Sequence, residues 1–165
     1  MRLVCTHCGD HYGELKPFED ERTSHGICQA CRDFFEQRSG QRLGELVNHL
    51  ELPAMIMDGP TRVQAASRDL LERAGLRLER PGSLLAGDIL GCVHARQPGG
   101  CGQASRCAAC AIRSTVLSTL RDGIRREQPA SVTQAAGPVA LRLTAERLPG
   151  PLVRLTFEPV LSEAS

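Results

Sequence analysis

The sequence predicts an α+β fold, an antiparallel sheet with helices in the middle of its strand order, preceded by a small N-terminal zinc knot. Three observations predict it. Short apolar runs bounded by turn residues stand at both ends of residues 41–161, and helical stripes fill the stretch between them. The eight cysteines fall into two groups of four. The first group is confined to the N-terminal segment, which divides the chain into a small module, residues 1–38, and a larger domain, residues 41–161.

Composition narrows the function classes. The 165 residues suffice to bury a sizeable core. A net charge of +1 creates no field that favours nucleic acid or an anionic membrane. Aromatic residues make up only 3%, so the core is aliphatic and a base-stacking platform is missing. The opening MRLVCTHCGD lacks the apolar run of a signal peptide, and no window has the length of a membrane span. The expected location is the cytoplasm, where thiols stay reduced and cysteine groups read as metal ligands before disulfides.

The N-terminal group is Cys5, Cys8, Cys28 and Cys31, spaced C-x2-C-x19-C-x2-C. Two such knuckles bring four thiolates to one tetrahedral ion, the arrangement of structural zinc sites. A redox C-x2-C needs a βαβ context, which nothing near Cys5 supplies. His7, His11 and His25 read as surface or neighbouring residues, with His25 the best substitute ligand. RDFFEQRSG reads as a short helix leaving the knot, with Phe34 and Phe35 covering the metal site or docking it on the next domain.

From Gln41 the pattern changes. Leu43, Leu46, Val47 and Leu50 form an amphipathic stripe that Pro53 ends. PAMIMDG and TRVQAAS read as paired strands across a turn at Asp58-Gly59. Ser67 is a candidate cap for a helix that stops at Gly75. AIRSTVLSTLRDGI is helical, with Ile112, Val116, Leu117 and Leu120 on one face. PVALRLTAERL and PLVRLTFEPV alternate as strands joined by Pro149-Gly150.

The second cysteine group, Cys92, Cys101, Cys107 and Cys110, lies in the loop 91–113 with spacing C-x8-C-x5-C-x2-C. Four thiolates suit an iron–sulfur cluster or a second zinc. Reduced core thiols and a thiol–disulfide switch are the other readings. Uneven spacing and the glycines around Cys101 lean the loop toward iron, because clusters take amides close to their sulfurs. His94 reads as a surface residue, with a fifth polar neighbour of the site as the alternative, and Arg113 as a solvated helix residue or a counter-charge to the thiolates.

Two resemblances bear on these readings. CTHCG together with SHGICQAC resembles a small zinc-ribbon-like module of bacterial signalling proteins, one that holds its metal on four cysteines. LPAMIMDGPTRVQAASRDLLERAG, GDILGC and the closing hairpin around ERLPGPLVRLTF resemble a PAS domain over residues 41–161, with Ala66 where many PAS domains carry asparagine. The second resemblance implies a PAS-like antiparallel sheet with middle helices and a sensory or dimerisation role, often with a cofactor such as haem, flavin or an iron–sulfur cluster.

The combined expectation is a cytoplasmic redox or gas sensor. Cys5, Cys8, Cys28 and Cys31 would hold zinc, and Cys92, Cys101, Cys107 and Cys110 an iron–sulfur cluster, with zinc the alternative there. Its partners would be a signalling protein, such as a histidine kinase or regulator, and a second copy through residues 41–52, with neither nucleic acid nor membrane. The competing reading is a structural adaptor with two structural zinc sites. A redox enzyme ranks last, since the sequence shows no paired carboxylates and no nucleophile constellation.

Overall fold

Four consecutive apolar residues, Ala54–Met57, form a strand buried on both faces, and the larger unit is built around it. In the computed structural model, which describes residues 1–17 and 21–160, the chain divides into two compact units, Met1–Ser39 and Gly40–Ser165.

The first unit carries β1 (Arg2–Cys5), β2 (His11–Glu14) and β3 (Thr23–Gly26). β1 is central, antiparallel to β2 and parallel to β3. Cys5, Cys28 and Cys31 are its buried cluster, so sulfur stands where a larger domain has aliphatic side chains.

Helix α1 runs from Gln29 to Asn48. It joins into one element the short helix expected after Cys31 and the amphipathic helix expected from Leu43. In the part belonging to the larger unit, Val47 is fully buried and Leu43 and Leu50 pack beside it on Ala54, Ile56 and Ala65. Leu46, counted in the same sequence stripe, remains 39% exposed.

The larger unit is α+β, as the sequence predicts. Its six strands are β4 (Ala54–Met57), β5 (Arg62–Ala66), β6 (Leu84–Leu85), β7 (Arg126–Gln134), β8 (Gly137–Leu148) and β9 (Leu152–Pro159). They lie in the order β6-β5-β4-β9-β8-β7, with every neighbouring pair antiparallel. The first and last strands, β4 and β9, therefore meet in the middle. Between β5 and β7 come α2 (Arg68–Ala74), α3 (Ala86–Ile89) and α4 (Ala111–Asp122). Met55 and Met57 turn to the face packed with residues of these helices, and Ala54 and Ile56 turn to the face of Leu43, Val47 and Leu50.

Two local readings change. Ser67 precedes α2, but its Oγ accepts from the Ala54 amide at 3.1 Å, and Asn48 Oδ1 accepts from the Arg68 amide at 2.8 Å instead. On α4 the buried face is Ile112, Thr115, Val116 and Thr119, while Leu117 is 40% exposed. The threonines stay inside because both hydroxyls are hydrogen-bonded. Thr115 donates to the Ala111 carbonyl at 2.6 Å, and Thr119 accepts from Arg126 at 3.4 Å.

Candidate metal centres

The first knuckle is a turn closed by its own backbone. The Gly9 amide donates to the Cys5 carbonyl at 2.9 Å, with Gly9 at φ +78°, a conformation glycine adopts without cost. The Cys5 amide donates to Asp10 at 2.9 Å, which fixes the far side of the turn. The second knuckle lies at the start of α1, with Cys28 just before the helix and Cys31 in its first turn.

The sulfurs of Cys5, Cys8, Cys28 and Cys31 all lie within 4.8 Å of one another. Cys8 and Cys28 stand 3.8 Å apart. A tetrahedral ion with metal–sulfur bonds of about 2.3 Å spaces its ligands by about 3.8 Å, so the geometry fits a single zinc-sized ion. The backbone amides of Cys28 and Cys8 lower the Cys5 thiol to about 6, which favours the thiolate a metal needs. The Asp10 amide lowers Cys8, but burial and the Cys5 sulfur outweigh it and leave that thiol raised. Burial and the other three sulfurs push Cys31 up. Four thiols this close cannot all ionise without a cation among them.

The three N-terminal histidines lie outside the sulfur cluster. His25 is exposed on β3, and His11 stands 3.9 Å from Glu14. His7, between the two knuckle cysteines, meets Phe35 edge-on at 4.8 Å, and Phe35 meets Phe34 at 5.7 Å. The phenylalanines thus group beside the first knuckle, and Phe34 and Phe35 stay 45% and 42% exposed.

The second set is arranged differently. Cys92, Cys101, Cys107 and Cys110 line one cavity of about 330 Å³. All eight cysteines are free thiols, and among the described residues only the N-terminal four draw their sulfurs into a cluster of single-ion size. The cavity lies between the loop, the start of α3 and the end of β7, with Thr61, Gly87, Val132 and Thr133 in its wall.

Each cysteine has a backbone reason for its place. The Cys92 amide donates to Gly87 at 2.8 Å, which seats the loop entry on α3. Two 3-10 turns, Val93–Arg96 and Ser105–Ala109, carry the chain around the cavity. Gly102, at φ +92°, directs its amide to Cys107 Sγ at 3.3 Å. Cys110 is the N-cap residue of the twelve-residue helix α4, at its positive end, and its side chain makes no capping hydrogen bond there. Cys101 packs against Gly87 so closely that a β-carbon there would come within 2.9 Å of its sulfur. Burial raises the Cys101 thiol, the Gly87 amide lowers it in part, and the other three sulfurs raise it further.

Donor set and surroundings therefore fit a sulfur-ligated metal centre. Four soft ligands surround one space, an amide points at a sulfur, and Arg106 and Arg113 line the wall with positive charge. Arg113 lines the cavity and is half-buried. His94 also lines the cavity, and its buried Nδ1 has no hydrogen-bond partner among the described residues.

Sequence reasoning missed the residues that hold the loop. Gln134 Nε2 donates to the Leu90 carbonyl at 2.9 Å, just before the loop. Gln128 Nε2 donates to Thr115 Oγ1 and, at 3.4 Å, to the Ala111 carbonyl at the start of α4. Both glutamines stand on β7, a strand absent from the sequence reading.

No family model and no curated protein matches the chain. Among solved structures it is similar to a LOV protein of Rhodobacter sphaeroides, at 10% identity and a TM-score of 0.48, over 77% of this chain and 69% of that one. It is also similar to a domain of a sensory box sensor histidine kinase/response regulator from Geobacter sulfurreducens, at 16% identity and a TM-score of 0.45, over 76% of this chain and 96% of that domain. The α+β class follows from the chain's own strand order, β6-β5-β4-β9-β8-β7, with the helices between β5 and β7. No helix among the described residues is long and apolar enough to cross a membrane.

Proposed function

We propose that the chain is a PAS-type redox or gas sensor whose loop 91–113 holds an iron–sulfur cluster on Cys92, Cys101, Cys107 and Cys110, with zinc on Cys5, Cys8, Cys28 and Cys31. The observation that carries the reading is the enclosure of four thiols around one cavity of about 330 Å³, a space larger than one ion needs. Bound there, a cluster would supply a centre that changes charge with redox state and reacts with O₂ or nitric oxide.

The chain's own residues supply the rest. The Gly102 amide and the α4 N-terminus offset thiolate charge at Cys107 and Cys110. Gln134 and Gln128 fasten the two ends of the loop to β7, an edge strand of the sheet. A change in how the four cysteines are held therefore bears on the sheet. Output passes to a partner protein, a histidine kinase or regulator, or through pairing of two copies by residues 41–52. In this reading the chain is not an enzyme, and it works in the cytoplasm.

The test is metal and sulfide analysis of full-length protein purified without oxygen. A brown protein with iron and sulfide at cluster stoichiometry plus one zinc is the expected result, and Cys107→Ser should lose the colour while keeping the zinc. Two zinc ions with no visible absorption would replace this reading by the structural adaptor.

A further inference from the structure

The turn between β4 and β5 reaches the four-cysteine loop. Pro60 and Thr61 stand in the cavity wall together with Cys101, Gly102 and Cys107. A β-carbon at Gly102 would fall 2.7 Å from Thr61 Cγ2 but 3.9 Å from Thr61 Oγ1. The three nearest atoms it would meet beyond its chain neighbours all belong to Thr61. The methyl group of Thr61 therefore lies against the Gly102 backbone, and the hydroxyl stands farther off. Thr61 is itself held, since its carbonyl accepts from the Ala86 amide at 2.8 Å, where α3 begins.

What the methyl group braces is a hydrogen bond to a ligand sulfur. The Gly102 amide donates to Cys107 Sγ at 3.3 Å. Gly102 lies at φ +92°, and Gly99 and Gly100 before it lie at φ +90° and +77°. Glycine restricts its own dihedrals least, so the direction of this amide depends on what packs against it.

We propose that Thr61 is a positioning residue of the four-cysteine site, its methyl group keeping the Gly102 amide directed at Cys107 Sγ. The proposal rests on the reading that the loop holds a sulfur-ligated metal centre. It assigns Thr61 no ligand role and its hydroxyl no part. With a centre bound, an N–H donated to a ligand sulfur favours the reduced, more negative state and raises the reduction potential. Removing the methyl group has two effects of opposite sign. A released amide lowers the potential, and water admitted to the cavity raises it, because water also stabilises the more negative state.

The experiment uses the full chain reconstituted anaerobically with ferrous iron and sulfide, as wild type, Thr61→Ser and Thr61→Val. Serine keeps the hydroxyl and loses the methyl group, and valine keeps the methyl group and loses the hydroxyl. Iron and sulfide contents are measured first and decide the cluster reading separately. With iron bound, Thr61→Ser should lower the midpoint potential and speed amide exchange at Gly102, and Thr61→Val should match wild type in both. An unchanged or raised potential in Thr61→Ser, or a valine variant that loads metal but behaves like serine, overturns the proposal.

If the loop takes zinc and no iron, the cluster reading fails but the brace is still tested. Cobalt(II) then replaces zinc, and the thiolate-to-cobalt band that Cys107→Ser abolishes is followed together with exchange at Gly102. A shifted band with faster exchange in Thr61→Ser, both absent in Thr61→Val, sustains the brace, and an unmoved band overturns it. A loop that binds no metal overturns both.

Discussion

Gln134 donates its side-chain amide to the carbonyl of Leu90 at 2.9 Å, across 44 residues of chain. At the other end of the same strand face, Gln128 reaches Ala111 and Thr115. Between them Ala130 and Val132 are buried in the core. One face of β7 thus runs polar, apolar, apolar, polar, and its polar ends grip the entry and exit of the four-cysteine loop. Gln134→Leu removes the donor and leaves the carbonyl of a buried residue unpaired. We expect a loss of about 1–3 kcal/mol in denaturant unfolding of the larger unit. Amide exchange should rise around Leu90–Cys92 and not around Ala111. Gln128→Ala should raise exchange at the start of α4 instead, and equal effects at both ends from either variant would show that the two clamps are not separate.

This strand marks the limit of what the sequence made legible. β4, β5, β8 and β9 were readable because apolar runs or alternation met clear turns, Asp58-Gly59 and Pro149-Gly150. In β7 only Ala130 and Val132 are buried, and Pro129 interrupts the pattern. Proline is tolerated there because β7 is an edge strand, which needs a partner on one side only. The cysteine spacings were legible because metal ligation is a local, short-range code at each knuckle. The clamps by Gln128 and Gln134 were not, since their partners are set by tertiary placement. The continuity of α1 was hidden by Gly40 and Gly44, residues that lower helix propensity without ending a helix that is held by packing.

Gly87 has no room for a side chain. A β-carbon there would fall 2.9 Å from both Cys101 Sγ and the Ala95 methyl group and 3.0 Å from Cys101 Cβ. Two of these atoms are fixed to the backbone, so the clash cannot be relieved by rotating one flexible tip. Gly87→Ala should cost about 1–3 kcal/mol by overpacking. It should also lower metal occupancy of the second site while leaving the N-terminal zinc unchanged. The check is metal content per chain alongside thermal unfolding. Full occupancy with wild-type stability would mean that the loop does not depend on this approach.

The Asp122–Arg126 pair gives a pH dependence of definite sign. Arg126 donates to both carboxylate oxygens of Asp122, at 2.8 Å and 2.5 Å, and joins the end of α4 to the start of β7. The Arg126 side chain, then the Ile124 amide, lowers the Asp122 carboxyl below the ordinary aspartate value. The folded state therefore favours the ionised form. Its contribution is fully present above the unfolded value of about 3.9 and is lost as pH falls toward the lower folded value. The stability difference between wild type and Asp122→Asn should stay constant from about pH 7 to about pH 5 and shrink below about pH 4. A difference that grows on acidification would reverse the assignment.

The N-terminal unit gives the last test, because its buried cluster consists of three of the four clustered cysteines. Cys5, Cys28 and Cys31 are that cluster, and the strands around them are four residues each. So small an apolar interior offsets little of the ordering of its residues, and a metal held by the four cysteines would supply the difference. Cys5→Ser or Cys28→Ser should abolish zinc binding and release residues 1–28 to rapid amide exchange and proteolysis. The larger unit has its own core around Met55, Leu143, Val153 and Leu155, and it should keep its unfolding transition. A strong chelator added to the wild-type chain should act in the same way, with stability restored by excess zinc. Limited proteolysis followed by mass measurement reads both outcomes at once. Protection lost only in the N-terminal segment supports two independently stable units, and loss across the whole chain in one step would show that the metal site stabilises the sheet as well.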